Sequence, residues 1–308
     1  MRHILSCLDL TVEESQRVFE IAFDLKKRIA AGDRPPVLER QVLGLLFEKP
    51  SLRTRVSFET LMHQTGGSSL FLGEDVGWGK REPVRDFIPI LSSYVDCLVI
   101  RAKRHEDVLE ASTYSRCPVI NGLTDQSHPC QAFADLMTVR ELFGKLDGVK
   151  VVYVGDANNV AYSLGLLCNR LGVQFSIAAP KKYQFGKTEV EQLSAANSDL
   201  FLQTANVEEA VSGAHVIYSD VWTSMGQEAE NEQRLADFAD YQVAESLFAG
   251  AATDAKFMHC LPARRGEEVT AEVIDGPRSA IIQQAENRLH AQKGLVVWLL
   301  TEASKASS

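Results

Sequence analysis

Short apolar runs alternate with amphipathic segments along most of the chain, and this alternation restricts the possible folds more than any other feature. Val42–Phe47 is an apolar run of strand length, and residues 54–65 after it have helical character and end before Gly66. The same order recurs at residues 97–100 and 106–113. Strands that alternate with helices form mostly parallel sheets covered by helices on both faces. The sequence therefore predicts an α/β fold with doubly wound sheets.

A second alternating series begins after the turn-forming segment 144–148. The chain has 308 residues, and domains commonly have ~100–200 residues, so two domains are expected. We predict a first domain over residues 1–144, a second over residues 145–285, and a last helical segment over residues 286–308. In the second domain we predict strands at 149–154, 174–178, 215–220, 256–261 and 280–283, and helices at 159–171, 188–196 and 243–248.

The charge of the chain argues against one class of partner. Lys and Arg number 32 against 41 Asp and Glu, which gives a net charge of -9. Nucleic-acid surfaces depend on clustered basic residues, so we expect no nucleic-acid partner. A small anion can still bind if folding brings together distant cations such as Arg53, Arg101 and Arg288.

Cysteine spacing and hydropathy indicate the compartment. The six cysteines include no C-x-x-C pair, and a chain of this size does not need disulfides to stabilise its core. The sequence shows neither a signal-peptide pattern nor an apolar run approaching ~18 residues. We therefore expect reduced thiols, no membrane association and a cytoplasmic location.

The motif S-L-R-T at residues 51–54 connects a predicted strand to a predicted helix. Pro50 disfavours helix before it, so Ser51 can take the cap position and the first N–H groups of the helix point to open space. With the hydroxyls of Ser51 and Thr54 and the guanidinium of Arg53, these N–H groups form a cradle for a phosphate. Taken alone, the motif is more often an ordinary capped helix with solvated arginines.

The motif H-P-C-Q at residues 128–131 opens another predicted helix. His128 can polarise a carbonyl group, and Gln131 can hold an amide. Zinc binding is the alternative, but Cys130 is the nearest soft ligand and no Cys or His cluster follows it, so we predict no metal. A single histidine at a helix start is more often structural than catalytic.

Three further segments follow predicted strands, where α/β sheets bind ligands. The motif G-D-A-N-N at residues 155–159 lacks the G-x-G-x-x-G fingerprint, which argues against a nicotinamide cofactor and leaves its amides for a small polar ligand. Asp220 offers a carboxylate suited to an ammonium group. Cys260 precedes Arg264 and Arg265, a cationic setting that can lower a thiol pKa, with a buried inert cysteine as the alternative.

In this order and spacing, the motifs resemble those of the aspartate/ornithine carbamoyltransferase family from about Leu10 to the last helix. S-L-R-T and H-P-C-Q are similar to the family's carbamoyl phosphate motifs S-x-R-T and H-P-x-Q. D-x-x-x-S-M-G at residues 220–226, together with H-C-L-P at residues 259–262, is similar to the ornithine branch of the family. Aspartate enzymes carry a second H-P-L-P in place of the thiol.

The resemblance implies a set of site residues. Those that would bind carbamoyl phosphate are Ser51, Leu52, Arg53, Thr54, Trp78, Arg101, His128, Gln131, Leu261 and Arg288. Those that would bind ornithine are Asn159, Asp220, Ser224, Met225 and Cys260. Within these sets, catalysis would rest on Arg53, Arg101, His128 and Cys260, with neither a metal nor a cofactor.

The resemblance also implies a reaction and an assembly. The δ-amine of L-ornithine would attack carbamoyl phosphate to give L-citrulline and phosphate, a step of arginine metabolism. A homotrimer with shared active sites would form, and the last helix would return to the first domain. A non-catalytic sensor that keeps the anion pocket is the alternative from another class.

One loop departs from the pattern of the ornithine enzymes, which usually carry Gln or His near Gly77. The sequence Gly77-Trp78-Gly79-Lys80 is instead similar to the acylornithine carbamoyltransferases. The motif D-x-x-x-S-M-G and the lack of proline between Pro180 and Pro262 favour ornithine. N-acylornithine and putrescine are the alternative acceptors.

Overall fold

The computed structural model describes residues 1–78, 81–223 and 228–303. These residues form two compact units, Met1–Ala134 with the chain from Asn287, and Asp135–Glu286. Each unit is built on a parallel sheet flanked by helices. The predicted fold class is confirmed.

The first unit contains a four-stranded sheet in the order β2-β1-β3-β4. Its strands are β1 (Val42–Phe47), β2 (Ser68–Leu72), β3 (Cys97–Arg101) and β4 (Val119–Leu123). Its helices are α1 (Val12–Ala30), α2 (Leu52–Gln64), α3 (Val84–Leu91), α4 (His105–Tyr114) and the beginning of α5 (Pro129–Phe143). Phe47 and Arg101 are register partners at the carboxyl ends of β1 and β3. The loops after these two central strands therefore start side by side.

The second unit contains a five-stranded sheet in the order β7-β6-β5-β8-β9. Its strands are β5 (Lys150–Val154), β6 (Gln174–Ala178), β7 (Phe201–Thr204), β8 (Val216–Ser219) and β9 (Lys256–His259). Its helices, besides the end of α5, are α6 (Asn159–Arg170), α7 (Lys187–Leu193), α8 (Val207–Val211), α9 (Asn231–Asp237) and α10 (Ala271–Ile274). Strand order changes direction at β5, and such a point opens a crevice at the carboxyl edge of the sheet. The loops that begin at Gly155 and Asp220 lie at this edge.

Some predicted elements differ from the observed ones. Strand β7 and helices α8, α9 and α10 were missed, because four to seven residues leave too little periodicity to recognise. The helix predicted at residues 243–248 is a 3-10 segment, Glu245–Gly250. The strand predicted at residues 280–283 is wrong, because the chain is helical from Ile281 and only Ser279 forms an isolated bridge, with Phe257.

Helix α11 (Ile281–Trp298) continues as a π-helical turn, Leu299–Ala303, and its later part belongs to the first unit. There it packs on α1 so closely that a Cβ at Gly294 would lie 2.4 Å from the carbonyl oxygen of Val18. The Nζ of Lys26 also donates to Asn287 Oδ1 at 2.7 Å. The expected return of the last helix to the first domain is confirmed.

Local sequence explains where helices begin. Thr11 Oγ1 accepts a hydrogen bond from the Glu14 N–H, and Glu14 Oε2 accepts one from the Thr11 N–H, which is the predicted capping box of α1. The two units divide at Asp135, inside helix α5, whereas the predicted domain boundary at residues 144–145 follows the end of that helix. Among the described residues, no helix combines the length and apolar character needed to cross a membrane.

Candidate active site

The N-terminus of α2 is built for a ligand rather than for a side-chain cap. Ser51 occupies the cap position, but its side chain makes no capping hydrogen bond. Its Oγ instead donates to Thr54 Oγ1 at 3.0 Å. The first turn also has no acidic residue, so the positive end of the helix dipole is not compensated there. The S-L-R-T motif thus presents hydroxyl groups and a helix N-terminus together.

Three arginines converge on the first unit from distant parts of the chain. Arg101 ends β3 and is 6% exposed, and its Nε has no hydrogen-bond partner among the described residues. Burial, followed by the guanidinium groups of Arg288 and Arg53, lowers the pKa of Arg101 to about 10. Arg288 Nη2 donates to Thr54 Oγ1 at 2.9 Å, which ties this cluster to α2. Arg101 and Arg288 are buried, and a bound anion would offset their like charges.

His128 lies beside the arginines at the start of α5 and is buried. Burial, together with the charges of Arg288 and Arg101, holds the pKa of His128 well below its usual value. The imidazole is therefore neutral at physiological pH and can donate one N–H without carrying a proton to give away. Gln131, one turn later, is also buried. This pair can orient and polarise a carbonyl-containing ligand.

The structure places Trp78 in apolar surroundings and leaves Leu52 exposed to solvent. Trp78 packs against the apolar cluster that contains Leu46, Ile88 and Ile100. It lines a separate small cleft with Phe47 and other residues, namely Glu48, Gly73, Glu74, Gly77 and Lys103. Leu52 is 79% exposed on α2. Their predicted contacts with carbamoyl phosphate stay predictions.

In the second unit, Asp220 follows β8 and is held from three sides. Its Oδ1 accepts hydrogen bonds from the Val221 N–H at 2.8 Å and from the Cys260 thiol at 3.1 Å. Its Oδ2 accepts from Asn158 Nδ2 at 3.0 Å. Asn158, which we had not singled out within G-D-A-N-N, also caps α6 through its Oδ1. Sequence reasoning had placed Asn159 in the site, and it forms the first residue of α6.

The pKa expected for Cys260 is wrong in direction. Burial, followed by the charge of Asp220, raises the pKa of this thiol well above its usual value. The arginines that were expected to lower it are engaged elsewhere, since Arg264 pairs with Glu267 and Arg265 with Asp275. Cys260 is therefore a protonated thiol at neutral pH, and its hydrogen-bond partner is Asp220.

Leu261 adopts a backbone conformation that is rare for a side chain of its type, with φ of 60°. Such a conformation costs on the order of 1–2 kcal/mol and is commonly found at functional sites. The Leu261 N–H donates to His259 Nδ1 at 2.9 Å, and His259 Nε2 lies 3.1 Å from Glu268 Oε1. This pairing holds the H-C-L-P segment after β9.

One cluster has the composition of a metal site. Ligand atoms of Asp220, His259 and Cys260 lie within 4.8 Å of one another. However, both ring nitrogens of His259 have protein partners, and the Cys260 thiol donates to Asp220. Hydrogen bonding accounts for this cluster, and we assign no metal to it.

Arg234 is a structural element of the site that the sequence did not indicate. Its Nη1 donates to Asp156 Oδ2 at 2.8 Å and to the Trp222 carbonyl oxygen at 2.9 Å. Its Nε donates to Glu230 Oε2 at 3.0 Å. Arg234 thereby connects the loop after β5 with the loop after β8.

The predicted ligands Ser224 and Met225 lie outside the described residues.

Two family models match the chain. Residues 2–141 match the model described as the carbamoyl-P binding domain of aspartate/ornithine carbamoyltransferase, and residues 147–299 match the Asp/Orn binding domain. The chain belongs to the aspartate/ornithine carbamoyltransferase family. The resemblance inferred from the motifs is confirmed.

Relatives within the carbamoyltransferase family are similar over their full length. The ornithine carbamoyltransferase of Bacillus subtilis (strain 168) is 48% identical over 315 residues, covering 100% of this chain and 96% of the relative. That of Anoxybacillus flavithermus (strain DSM 21510 / WK1) is 46% identical over 303 residues, covering 97% and 96%. The solved ornithine carbamoyltransferase from Pyrococcus furiosus has a TM-score of 0.94 and 44% identity, covering 98% of this chain and 97% of its own.

Proposed function

We propose that the chain is an enzyme that transfers the carbamoyl group of carbamoyl phosphate to the δ-amine of L-ornithine, giving L-citrulline and phosphate. The observation that carries the proposal is the convergence of Arg53, Arg101 and Arg288 beside a neutral His128, in the unit that matches a carbamoyl-P binding domain. The acceptor follows from the relatives at 46–48% identity, which are named ornithine carbamoyltransferases. These relatives do not favour N-acylornithine or putrescine.

The phosphate end of the substrate would occupy the N-terminus of α2. Ser51, Leu52, Thr54 and Arg288 would bind its oxygens through backbone N–H groups, hydroxyls and a guanidinium. Arg53 and Arg101 would stabilise the negative charge that collects on phosphate as the C–O bond breaks and the phosphate leaves with the bonding electrons. Trp78 and Leu261 remain proposed contacts from the family resemblance.

The carbonyl group would be polarised by neutral and charged donors together. An N–H of His128, the Arg101 guanidinium and the Thr54 hydroxyl would donate to the carbonyl oxygen as charge builds on it. Gln131 would hold the carbamoyl NH2 group. A protonated His128 is not needed for this role, which agrees with its lowered pKa.

Ornithine would meet the groups of the second unit. Asp220 would bind an ammonium group, and Asn159, Ser224 and Met225 would hold the amino-acid end. The attacking amine must first lose a proton, because its pKa in water is about 10. Since Cys260 is a protonated thiol, it would orient the amine through its sulfur, while the Asp220 carboxylate would accept the proton that the amine loses.

A substrate panel tests the proposal. Phosphate release from carbamoyl phosphate would be measured with ornithine, putrescine, acetylornithine, succinylornithine and aspartate in parallel, with a reaction lacking acceptor to subtract spontaneous hydrolysis. We expect ornithine to give the fastest release, with citrulline formed in equal amount. Faster release with another acceptor contradicts the ornithine assignment. Binding of carbamoyl phosphate without turnover on any acceptor supports the sensor alternative.

We further propose a cytoplasmic homotrimer with shared active sites. Exposed apolar side chains on α2 and β2, namely Leu52, Val56 and Leu70, support a surface that associates with other copies. The six free cysteines are consistent with a reducing compartment. Light scattering should give three times the 34.0 kDa mass of the chain, and a Leu70→Glu variant should lower that mass.

A further inference from the structure

The buried carboxyl group of Glu268 contacts both ends of the segment that carries Cys260 and Leu261. Its Oε1 accepts a hydrogen bond from the Arg264 N–H at 2.6 Å. The same oxygen lies 3.1 Å from His259 Nε2. His259 precedes Cys260 in the chain and Arg264 follows Leu261. One carboxyl oxygen therefore connects the two sides of this segment.

The hydrogen bonds of His259 decide which ring nitrogen carries the proton. The Leu261 N–H donates to His259 Nδ1 at 2.9 Å, and a backbone N–H can only donate. Nδ1 is therefore an unprotonated acceptor, and the ring proton is on Nε2, where it points to Glu268 Oε1. In the other tautomer, Nδ1 would carry a proton facing the Leu261 N–H, and Nε2 would face a carboxyl oxygen. Glu268 thus favours the one tautomer that can bind the Leu261 backbone.

Glu268 is itself fixed by backbone pairing. The Val243 N–H donates to the Glu268 carbonyl oxygen at 2.9 Å, and the Thr270 N–H donates to the Val243 carbonyl oxygen at 3.0 Å. Val243 and Val269 also form a parallel bridge. The side chain of Glu268 is fully buried, and its Oε2 has no hydrogen-bond partner among the residues that the structure describes. Oε1 is therefore the atom that joins the segment to a fixed part of the second unit.

Leu261 needs such support because of its backbone conformation. Its φ of 60° lies in the left-handed region, which a leucine keeps only where its surroundings hold it there. The neighbouring Cys260 thiol donates to Asp220 Oδ1 at 3.1 Å. A shift of the Leu261 backbone would therefore also move Cys260 relative to Asp220.

We propose that Glu268 is a positioning residue for the reaction. Its carboxyl oxygen selects the tautomer of His259 and holds the segment between His259 and Arg264 in the shape that places Cys260 beside the acceptor amine. The role in catalysis rests on the proposed function. The tautomer of His259 and the position of Cys260 do not depend on which acceptor the enzyme uses.

This role requires an acceptor oxygen at the right distance rather than a charge. Glu268→Gln keeps an oxygen in the place of Oε1, so both hydrogen bonds can remain. Glu268→Asp keeps the carboxyl group but is shorter by one CH2 group, so its oxygen cannot reach both donors. Glu268→Leu has a similar volume and leaves both buried donors without a partner. A role that depended on the charge of Glu268 would instead be kept by Asp and lost by Gln.

The tautomer of His259 gives the first test. Isotopic labelling of the histidine ring nitrogens allows nitrogen–hydrogen correlation spectra to distinguish the two neutral tautomers. The signal that is absent from a His259→Gln variant identifies His259. We expect the proton on Nε2 in the wild type and in Glu268→Gln, and a mixture of tautomers in Glu268→Asp and Glu268→Leu.

Alkylation of Cys260 reports the position of the thiol without any substrate. The rate of reaction with iodoacetamide would be measured at a fixed pH, with peptide mass spectrometry to locate the label. The other five cysteines are buried. We expect the rate to rise about threefold to tenfold in Glu268→Asp and Glu268→Leu, because a loosened segment weakens the hydrogen bond from Cys260 to Asp220. Glu268→Gln should react at the rate of the wild type.

Kinetics connect the segment to the reaction. In Glu268→Asp, kcat/KM for ornithine should fall by about 10- to 100-fold through misplacement of the acceptor site, with no change in the Kd of carbamoyl phosphate. Glu268→Gln should keep the wild-type value. The matched control is the neighbouring Glu267, whose carboxylate pairs with the Arg264 guanidinium at 3.2 Å. Glu267→Asp and Glu267→Leu should match the wild type in every assay.

The comparison of Glu268→Asp with Glu268→Gln decides the proposal, even if Glu268→Leu does not fold. Wild-type tautomer and alkylation in Glu268→Asp overturn the proposal, as does loss of both in Glu268→Gln. Normal ornithine kinetics in Glu268→Asp overturn the role in catalysis. If the wild type does not carbamoylate ornithine, the proposed function fails, and the tautomer and alkylation results still decide whether Glu268 holds the segment.

Discussion

Arg288 donates a hydrogen bond from Nη2 to Thr54 Oγ1 over 2.9 Å, although the two residues are 234 positions apart in the chain. The same hydroxyl group accepts a hydrogen bond from Ser51. Arg288 belongs to α11, so the return of this helix to the first unit completes the cationic cluster that begins at α2 and β3. The C-terminal helix is therefore part of the candidate anion site as well as part of the core.

Arg53→Gln should lower kcat by about 10²- to 10³-fold, because the cation that would stabilise the negative charge of the leaving phosphate is lost. Arg53 is exposed at the start of α2, so thermal unfolding should change little. Arg28→Gln on α1 makes the same chemical change at a surface ion pair with Asp33 and should leave turnover intact. Near-normal kinetics of the Arg53 variant would refute the phosphate assignment.

Asp220→Asn should lower kcat/KM for ornithine by about 10²-fold, since the carboxylate that would accept the amine proton is removed. The charge of Asp220 raises the pKa of Cys260, so that pKa should fall in the variant and alkylation of Cys260 should become faster. Calorimetry should show unaltered carbamoyl phosphate binding. Asp275→Asn removes an exposed carboxylate paired with Arg265 and serves as the control. Slower alkylation in Asp220→Asn would contradict the assigned contact.

Arg234→Met should destabilise the protein by about 3 kcal/mol, because Asp156 loses the cation that offsets its burial. Burial already raises the pKa of Asp156 and Arg234 lowers it, so loss of Arg234 raises that pKa further. A carboxyl group with a raised pKa in the folded state is destabilising above that pKa, and stability recovers as pH falls through it. Urea denaturation should therefore show a larger deficit at neutral than at mildly acidic pH.

The double variant Arg234→Met/Asp156→Asn provides the control for this pair. Replacement of the carboxylate removes the buried charge, so the double variant should be more stable than Arg234→Met alone and should lose the pH dependence. Equal stability of the two variants would mean that the unpaired charge of Asp156 is not the cause of the destabilisation in Arg234→Met.

Lys293→Met should stabilise the protein by about 2 to 3 kcal/mol at neutral pH. Lys293 is fully buried on α11, and its Nζ has no hydrogen-bond partner within the described part of the chain. Burial and the charge of Arg34 lower its pKa from 10.5 to about 8. The wild type should gain stability as pH rises from about 8 toward 10.5, because the folded protein then no longer holds a buried ammonium.

The methionine variant should lack this alkaline gain. Lys27→Met replaces an exposed lysine on α1 and should change neither the stability at neutral pH nor its pH dependence. If the free energy of unfolding changes with pH in the same way for the wild type and Lys293→Met across the alkaline range, the Lys293 ammonium is not destabilising, which contradicts the prediction.

Predictions from the sequence were most accurate where a signal is local. The capping box at Thr11 and the apolar run of β1 depend on neighbouring residues, and both appear as predicted. Predictions failed where the same residues suit two structures. The apolar residues Ile281 and Ile282 predict a strand, but they form the first turn of α11, because a short apolar run suits either element.

The sequence by itself determined the α/β fold class, the motifs at the carboxyl ends of the strands and the family to which they belong, because these depend on local periodicity and on the order of residues. Only the tertiary structure decided the electrostatics of the site. The pKa of Cys260 rises rather than falls because folding partly buries it beside Asp220, 40 positions away, while Arg264 and Arg265 pair with other carboxylates. Burial and long-range pairing set the energy of a charge, and neither can be determined from neighbouring residues in the chain.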